Sequence, residues 1–83
     1  MKATIKILGT GCAKCKSLEK MTNEVVQENN FEVEVSKVED IMEIMNYGSM
    51  GTPGFVINEK LIFSGRLPSK EEIRKIIEEN IHG

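Results

Sequence analysis

Thr10-Gly11-Cys12-Ala13-Lys14-Cys15-Lys16 holds both cysteines of the chain, and its setting decides the fold. Just before it, Thr4-Ile5-Lys6-Ile7-Leu8 is short and rich in β-branched residues, which predicts a strand. Just after it, Leu18, Met21, Val25 and Val26 recur at helical spacing with no proline among them. The cysteine pair therefore falls where a strand ends and a helix begins, with Gly9 and Gly11 allowing a sharp turn.

That placement carries chemistry. The first N–H groups of a helix lack partners within it, and the macrodipole makes this end favour negative charge. A thiol held there is expected to ionise more easily than a free cysteine, and Lys14 and Lys16 add positive charge nearby, with Lys14 the expected activating residue. Two intervening residues put Cys12 at the helix mouth and Cys15 about one turn deeper, within reach of a disulfide. The expectation is that Cys12 attacks and Cys15 resolves. Two other readings of the pair stay open: half of a metal site, although zinc usually takes four ligands, or two buried structural cysteines.

Eighty-three residues predict a single domain spanning 1–83, and 40% apolar with 29% charged residues describes an ordinary globular chain. The net charge of −2, with Lys and Glu interleaved, offers no basic stripe for nucleic acid and no polybasic membrane anchor. No segment approaches a membrane span, and Lys6 breaks the apolar run that a signal peptide would need. A cytoplasmic location is the expectation. There a permanent disulfide is disfavoured, which points a cysteine pair towards catalysis or metal.

Along the chain, the first strand is expected over residues 2–8 with Ala3, Ile5 and Ile7 on one face, and a helix from Ala13 to Gln27 leaving through Asn29-Asn30. Phe31-Glu32-Val33-Glu34-Val35 alternates as a half-exposed strand. Glu39-Asp40 opens a short helix with Ile41, Ile44 and Met45 on one side, stopping at Gly48. The loop Ser49 to Gly54 is too rich in glycine and proline to be an element. Phe55-Val56-Ile57 and Leu61-Ile62-Phe63 then form a hairpin across Asn58-Glu59-Lys60, where glutamate is a poor left-handed residue. Ser69-Lys70-Glu71-Glu72 is a capping box for a last helix with the stripe Ile73, Ile76, Ile77 and Ile81, and Glu71 stands one supporting step before Lys75. The order β-α-β-α-β-β-α implies a four-stranded mixed sheet with helices on both faces. Both strand–helix–strand steps are expected to be parallel, with the hairpin adding an antiparallel edge.

A C-x-x-C between strand and helix, then Gly51-Thr52-Pro53-Gly54 opening a hairpin, then Ser64-Gly65-Arg66-Leu67-Pro68-Ser69 before a closing helix, resembles the thioredoxin/glutaredoxin superfamily. More closely it resembles the small thioredoxin-like "redox-active disulfide" proteins of archaea and bacteria. The resemblance implies a thiol–disulfide oxidoreductase that reduces protein disulfides through a mixed disulfide, with Cys12 and Cys15 catalytic. It also implies a cis Pro53 packed against the dithiol, with Gly11, Thr52 and Pro53 meeting substrate. The implied partners are a disulfide-containing client and a thioredoxin-reductase-like, flavin- or ferredoxin-linked donor, the protein acting as a monomer. No cofactor or metal is needed, because the electrons reside in the sulfur pair. The tryptophan and Gly-Pro of thioredoxins, and the Pro-Tyr and Gly-Gly of glutaredoxins, are missing, so the resemblance leaves the reductant open.

Two rivals of other classes are a copper or zinc carrier and a redox-sensing binding module. Copper-chaperone domains usually carry methionine two residues before the first cysteine, where this chain has Thr10, and they end in a strand. Of the remaining residues, Met42, Met45 and Met50 read as core fillers, Met50 alternatively as an apolar rim beside the dithiol. His82 is too close to the C-terminus for a ligand or general base, which removes a Cys–His hydrolase. Arg66 reads as a solvated loop residue, and Tyr47 as a packing residue with its hydroxyl in water.

Overall fold

The computed structural model describes residues 3–49 and 51–81. Its elements are β1 (Ala3–Leu8), α1 (Ala13–Glu28), β2 (Val33–Val38), α2 (Ile41–Asn46), β3 (Gly54–Ile57), β4 (Lys60–Ser64) and α3 (Lys70–Ile81). The strands lie in the order β2-β1-β3-β4, so the first strand, which leads into the dithiol, is central. Lys2, Met50 and His82 lie outside the described residues, and so do the expectations attached to them.

Alternation along β1 sorts the core into two layers. Ile5 and Ile7 face α1 and α3, where they pack with Leu18, Val25, Phe55, Ile57, Ile73 and Ile77. Leu8 faces the other way, into a smaller cluster with Val38, Ile44 and Val56 under α2. Helices therefore cover both faces, two on one side and one on the other. Among the described residues, no helix is long and apolar enough to cross a membrane.

β2 begins and ends later than the alternation of residues 31–35 suggests. Asn30 takes a left-handed φ of 53°, and the Phe31 N–H reaches back to Val26 O at 3.1 Å, so both residues close α1 and the chain is extended only from Val33. At its far end β2 stays paired with β1 up to Leu8↔Val38. Gly48 closes α2 in the same way, with φ 85° and the Ser49 N–H on Ile44 O.

The second strand–helix–strand step is not parallel. β1 and β2 are parallel, but β3 runs antiparallel to β1 with Ile5↔Ile57 and Leu8↔Gly54 in register. The six residues of α2 span only about 9 Å, against roughly 20 Å for a strand of that length. The chain thus stays near the edge of the sheet it left: a Cβ added to Gly54 would lie 3.1 Å from Ser49 Oγ. β3 must start there and run back.

α2 also rests on the sheet through less than its pattern suggests. Ile44 is buried, whereas Ile41, Met42 and Met45 are 62%, 69% and 64% exposed, so Met42 and Met45 are not core fillers. Tyr47 extends the contact, and its hydroxyl is not simply in water. Lys6 Nζ donates to Tyr47 Oη at 2.8 Å and to Glu59 Oε1 at 2.7 Å, and the Tyr47 hydroxyl donates to Glu59 Oε2 at 2.7 Å. This triangle explains the hairpin turn. Asn58 and Glu59 both have positive φ, 51° and 69°, and the carboxylate of Glu59 is fixed by Lys6 and Tyr47 although glutamate is a poor residue for that conformation. At α3 the capping box is half made. Ser69 Oγ accepts the Glu72 N–H at 3.2 Å, while the Glu72 carboxylate pairs with Arg66, whose guanidinium also stacks over Phe63 at 5.0 Å. Arg66 is thus tied in rather than loose, and the i,i+4 ion pair of α3 among the described residues is Arg74–Glu78.

Hydrogen bonds from Lys6 and then Tyr47 hold the Glu59 carboxyl below its usual range, and Glu59 followed by Tyr47 raises Lys6 above the ordinary lysine range. A depressed carboxyl stabilises the fold above its unfolded-state value, and this contribution is lost as pH falls through the folded-state value. Glu59→Gln is expected to lower the urea midpoint at neutral pH. Acidification through and below the normal carboxylate range should close the gap to the parent protein; a gap independent of pH would contradict the assignment.

Candidate active site

Cys12 is the N-cap of α1. Its φ of −67° and ψ of 164° are extended, and its Sγ accepts the Cys15 N–H at 3.2 Å while its carbonyl accepts the Lys16 N–H at 3.0 Å. A sulfur thus occupies the place usually filled by a Ser, Thr, Asp or Asn oxygen. The first turn of α1 contains no acidic residue, so no carboxylate competes there with a sulfur anion. Gly11 makes the approach possible with φ 92° and open space around it.

The two sulfurs are joined in a disulfide with a Cα–Cα distance of 5.1 Å. Their surroundings differ sharply: Cys12 is exposed and Cys15 is 5% exposed. Cys15 lies against β1 at Gly9, where an added Cβ would overlap its Sγ and come within 3.0 Å of its Cβ. Gly9 is therefore needed for close packing, and it also donates its N–H to Val38 O at 2.9 Å, extending the β1–β2 ladder. The sequence shows a glycine here, but it does not show that the partner of that glycine is the second sulfur.

The third side of the site is the Thr52-Pro53 loop. The peptide bond is cis, Pro53 is fully buried, and its carbonyl accepts the Gly65 N–H at 2.9 Å. Thr52 is exposed, and its Cβ is 3.9 Å from the position a Cβ on Gly9 would take. Cys12, Cys15, Gly11, Thr52 and Pro53 are thus brought to one end of the sheet by the β1–α1 junction and by the start of β3, which pairs there with Leu8.

Lys14 and Lys16 are both exposed, but only Lys16 borders the groove that leads to Cys15. That groove, about 60 Å³, is also lined by Ile7, Gly9, Gly11, Glu19, Lys37 and Glu39. Glu19 could have been found from sequence as the residue one helical turn beyond Cys15; Lys37 and Glu39 arrive only through β2 pairing. Among the described residues, no three His, Cys, Asp or Glu side chains come together as a metal site.

A dithiol bridging a helix cap, with a buried cis-proline loop beside it on a four-stranded mixed sheet, defines a thiol–disulfide protein of thioredoxin-like fold. The thioredoxin domain family profile matches residues 3–78. A thioredoxin of Methanothermobacter thermautotrophicus is 41% identical over 73 residues, covering 88% of this chain and 95% of that protein. One from Methanocaldococcus jannaschii is 34% identical over 79 residues, covering 95% of this chain and 91% of its own. Among solved structures, the oxidised thioredoxin of Plasmodium falciparum matches with a TM-score of 0.65 over 94% of this chain and 80% of that one, at 16% identity, which speaks for the fold alone. The chain belongs to the thioredoxin family, and it is accordingly a thiol–disulfide oxidoreductase. Family membership brings disulfide-bearing clients and reductases as partners in general terms.

Gly9→Ala tests the packing of Cys15. It is expected to destabilise the oxidised protein by about 1–3 kcal/mol, the usual cost of overpacking a tight site. Urea unfolding of the oxidised form would show it, and an unchanged midpoint would mean that Cys15 has room to move.

Proposed function

We propose that Cys12 is the attacking sulfur and Cys15 the resolving one, in a cycle that reduces disulfides of client proteins. One observation supports this order above the rest: the sulfur at the helix cap is open to solvent, and its partner is buried one turn deeper. As thiolate, Cys12 attacks a client sulfur and forms a mixed disulfide, releasing the other client sulfur as a thiol. Cys15 then attacks Cys12, the intramolecular disulfide forms, and the client leaves with its remaining sulfur reduced. The N–H of Cys15, aimed at Cys12 Sγ, favours the anionic form of that sulfur in attack.

Gly11, Thr52 and Pro53 form the substrate face in this reading. The exposed Thr52 is available to an extended client segment in the manner of an added strand. Lys14, exposed on the first turn of α1, supports the thiolate as a nearby cation. We take residues 1–83 as one domain working as a monomer, since a single sheet and its own helices bury both clusters of the core. A cytoplasmic setting with a thioredoxin-reductase-like donor, flavin- or ferredoxin-linked, would return the pair to the dithiol.

Cys15→Ser, used as bait under non-reducing conditions, is expected to retain client proteins as covalent adducts on Cys12, whereas Cys12→Ser retains few. Equal trapping by both variants would remove the division of labour.

A further inference from the structure

The loop that follows α2 carries a hydroxyl that the sulfur chemistry does not use. Ser49 is half-buried, and its Oγ donates to Gly51 O at 2.6 Å. That carbonyl belongs to the same planar peptide unit as the Thr52 N–H, and in a trans unit the two groups point in opposite directions. Holding the carbonyl therefore aims the N–H. On the other side of Thr52, the Pro53 carbonyl is held by the Gly65 N–H at 2.9 Å, and a Cβ added to Gly51 would lie 3.6 Å from Gly65 Cα. Among the described residues, no hydrogen bond engages the backbone of Thr52 itself. The exposed Thr52 thus offers unpaired peptide groups between two carbonyls that are tied down. Ser49 is in turn fixed at both ends: its N–H bonds Ile44 O at the close of α2, and Gly54 leaves room for its hydroxyl, which would lie 3.1 Å from a Cβ there.

We propose that Ser49 is a positioning residue for client recognition. Its hydrogen bond to Gly51 O aims the Thr52 N–H at a backbone carbonyl of an extended client segment and polarises that N–H as a donor. The inference rests on the reading of Thr52 as part of the substrate face. Ser49 acts through the Gly51–Thr52 peptide and takes no part in the exchange of sulfurs. Its effect is selectivity for peptide over small disulfides, since only a peptide brings a backbone carbonyl to Thr52.

The test compares two activated disulfides with the same leaving group: the thionitrobenzoate disulfide of a short cysteine-containing peptide, and that of 2-mercaptoethanol, which has no backbone. Release of thionitrobenzoate reads the attack by Cys12 on each. Ser49→Ala is expected to lower the ratio of the peptide rate to the mercaptoethanol rate about fivefold, within what one neutral hydrogen bond contributes. Ser49→Thr keeps the hydroxyl and is expected to restore the ratio to within about twofold. A general disturbance of the fold would slow both reactions and leave the ratio unchanged. A second measurement uses Cys15→Ser with the peptide held on Cys12. Exchange of the Thr52 amide hydrogen should slow when this adduct forms, and about fivefold less so when Ser49→Ala is added. An unchanged ratio in Ser49→Ala, an equal loss in Ser49→Thr, or equal protection of Thr52 with and without the hydroxyl would each overturn the proposal. A Thr52 amide left unprotected in the Cys15→Ser adduct would remove the substrate face itself, and the proposal with it.

Discussion

The side chain of Cys15 fits beneath the β1–α1 junction because Gly9 presents only backbone at the point of contact. The same glycine is bonded to Val38 at the end of β2, and Thr52 of the cis-proline loop approaches from the third side. Three segments distant in sequence therefore meet at a residue without a side chain. The position of the buried sulfur, the start of α1 and the height of the cis-proline loop all depend on this close approach. A small chain has few ways to fix a reactive group on the rim of its sheet, and tight packing against the central strand achieves it without a larger core.

The opposite face of the sheet is organised differently. α1 and α3 bury a continuous apolar layer, whereas α2 rests on Ile44 and Tyr47 and relies on a polar triangle with Lys6 and Glu59 to hold its end. Because α2 is so short, the chain reaches the cis-proline loop at the edge where the dithiol lies. The antiparallel course of β3 is thus part of how the site is assembled: a helix long enough to return a parallel strand would have placed Thr52 and Pro53 at the far edge.

Most of this architecture was legible in the residues. Apolar spacing in α1 and α3, the glycine and asparagine stops, and the cysteine pair between strand and helix gave the element order and the catalytic end. The direction of β3 was not legible, because it depends on the distance covered by α2 rather than on any pattern within β3. The start of β2 was misjudged because Phe31 looks like a strand residue but serves in the closure of α1. The polar ties of Tyr47, Glu59 and Arg66, read respectively as a packing residue with its hydroxyl in water, a poor turn residue and a solvated loop residue, were not legible since their partners, Lys6, Glu72 and Phe63, are brought to them only by the fold. Gly9 and Glu19 were visible as residue types, but that one packs on Cys15 and the other borders its groove appears only in three dimensions.

The unequal exposure of the two sulfurs has a kinetic consequence. Cys12 is the exposed sulfur and Cys15 the buried one, so on the proposed order of attack an adduct begins at Cys12 with its successor already held one helical turn away. Well-oriented intramolecular reactions reach effective molarities on the order of 10⁵ M or more, far above any dissolved thiol. On the proposed order of attack, small thiols in the surrounding solution lose this race, and the linked partner is set free before an outside competitor can intercept it.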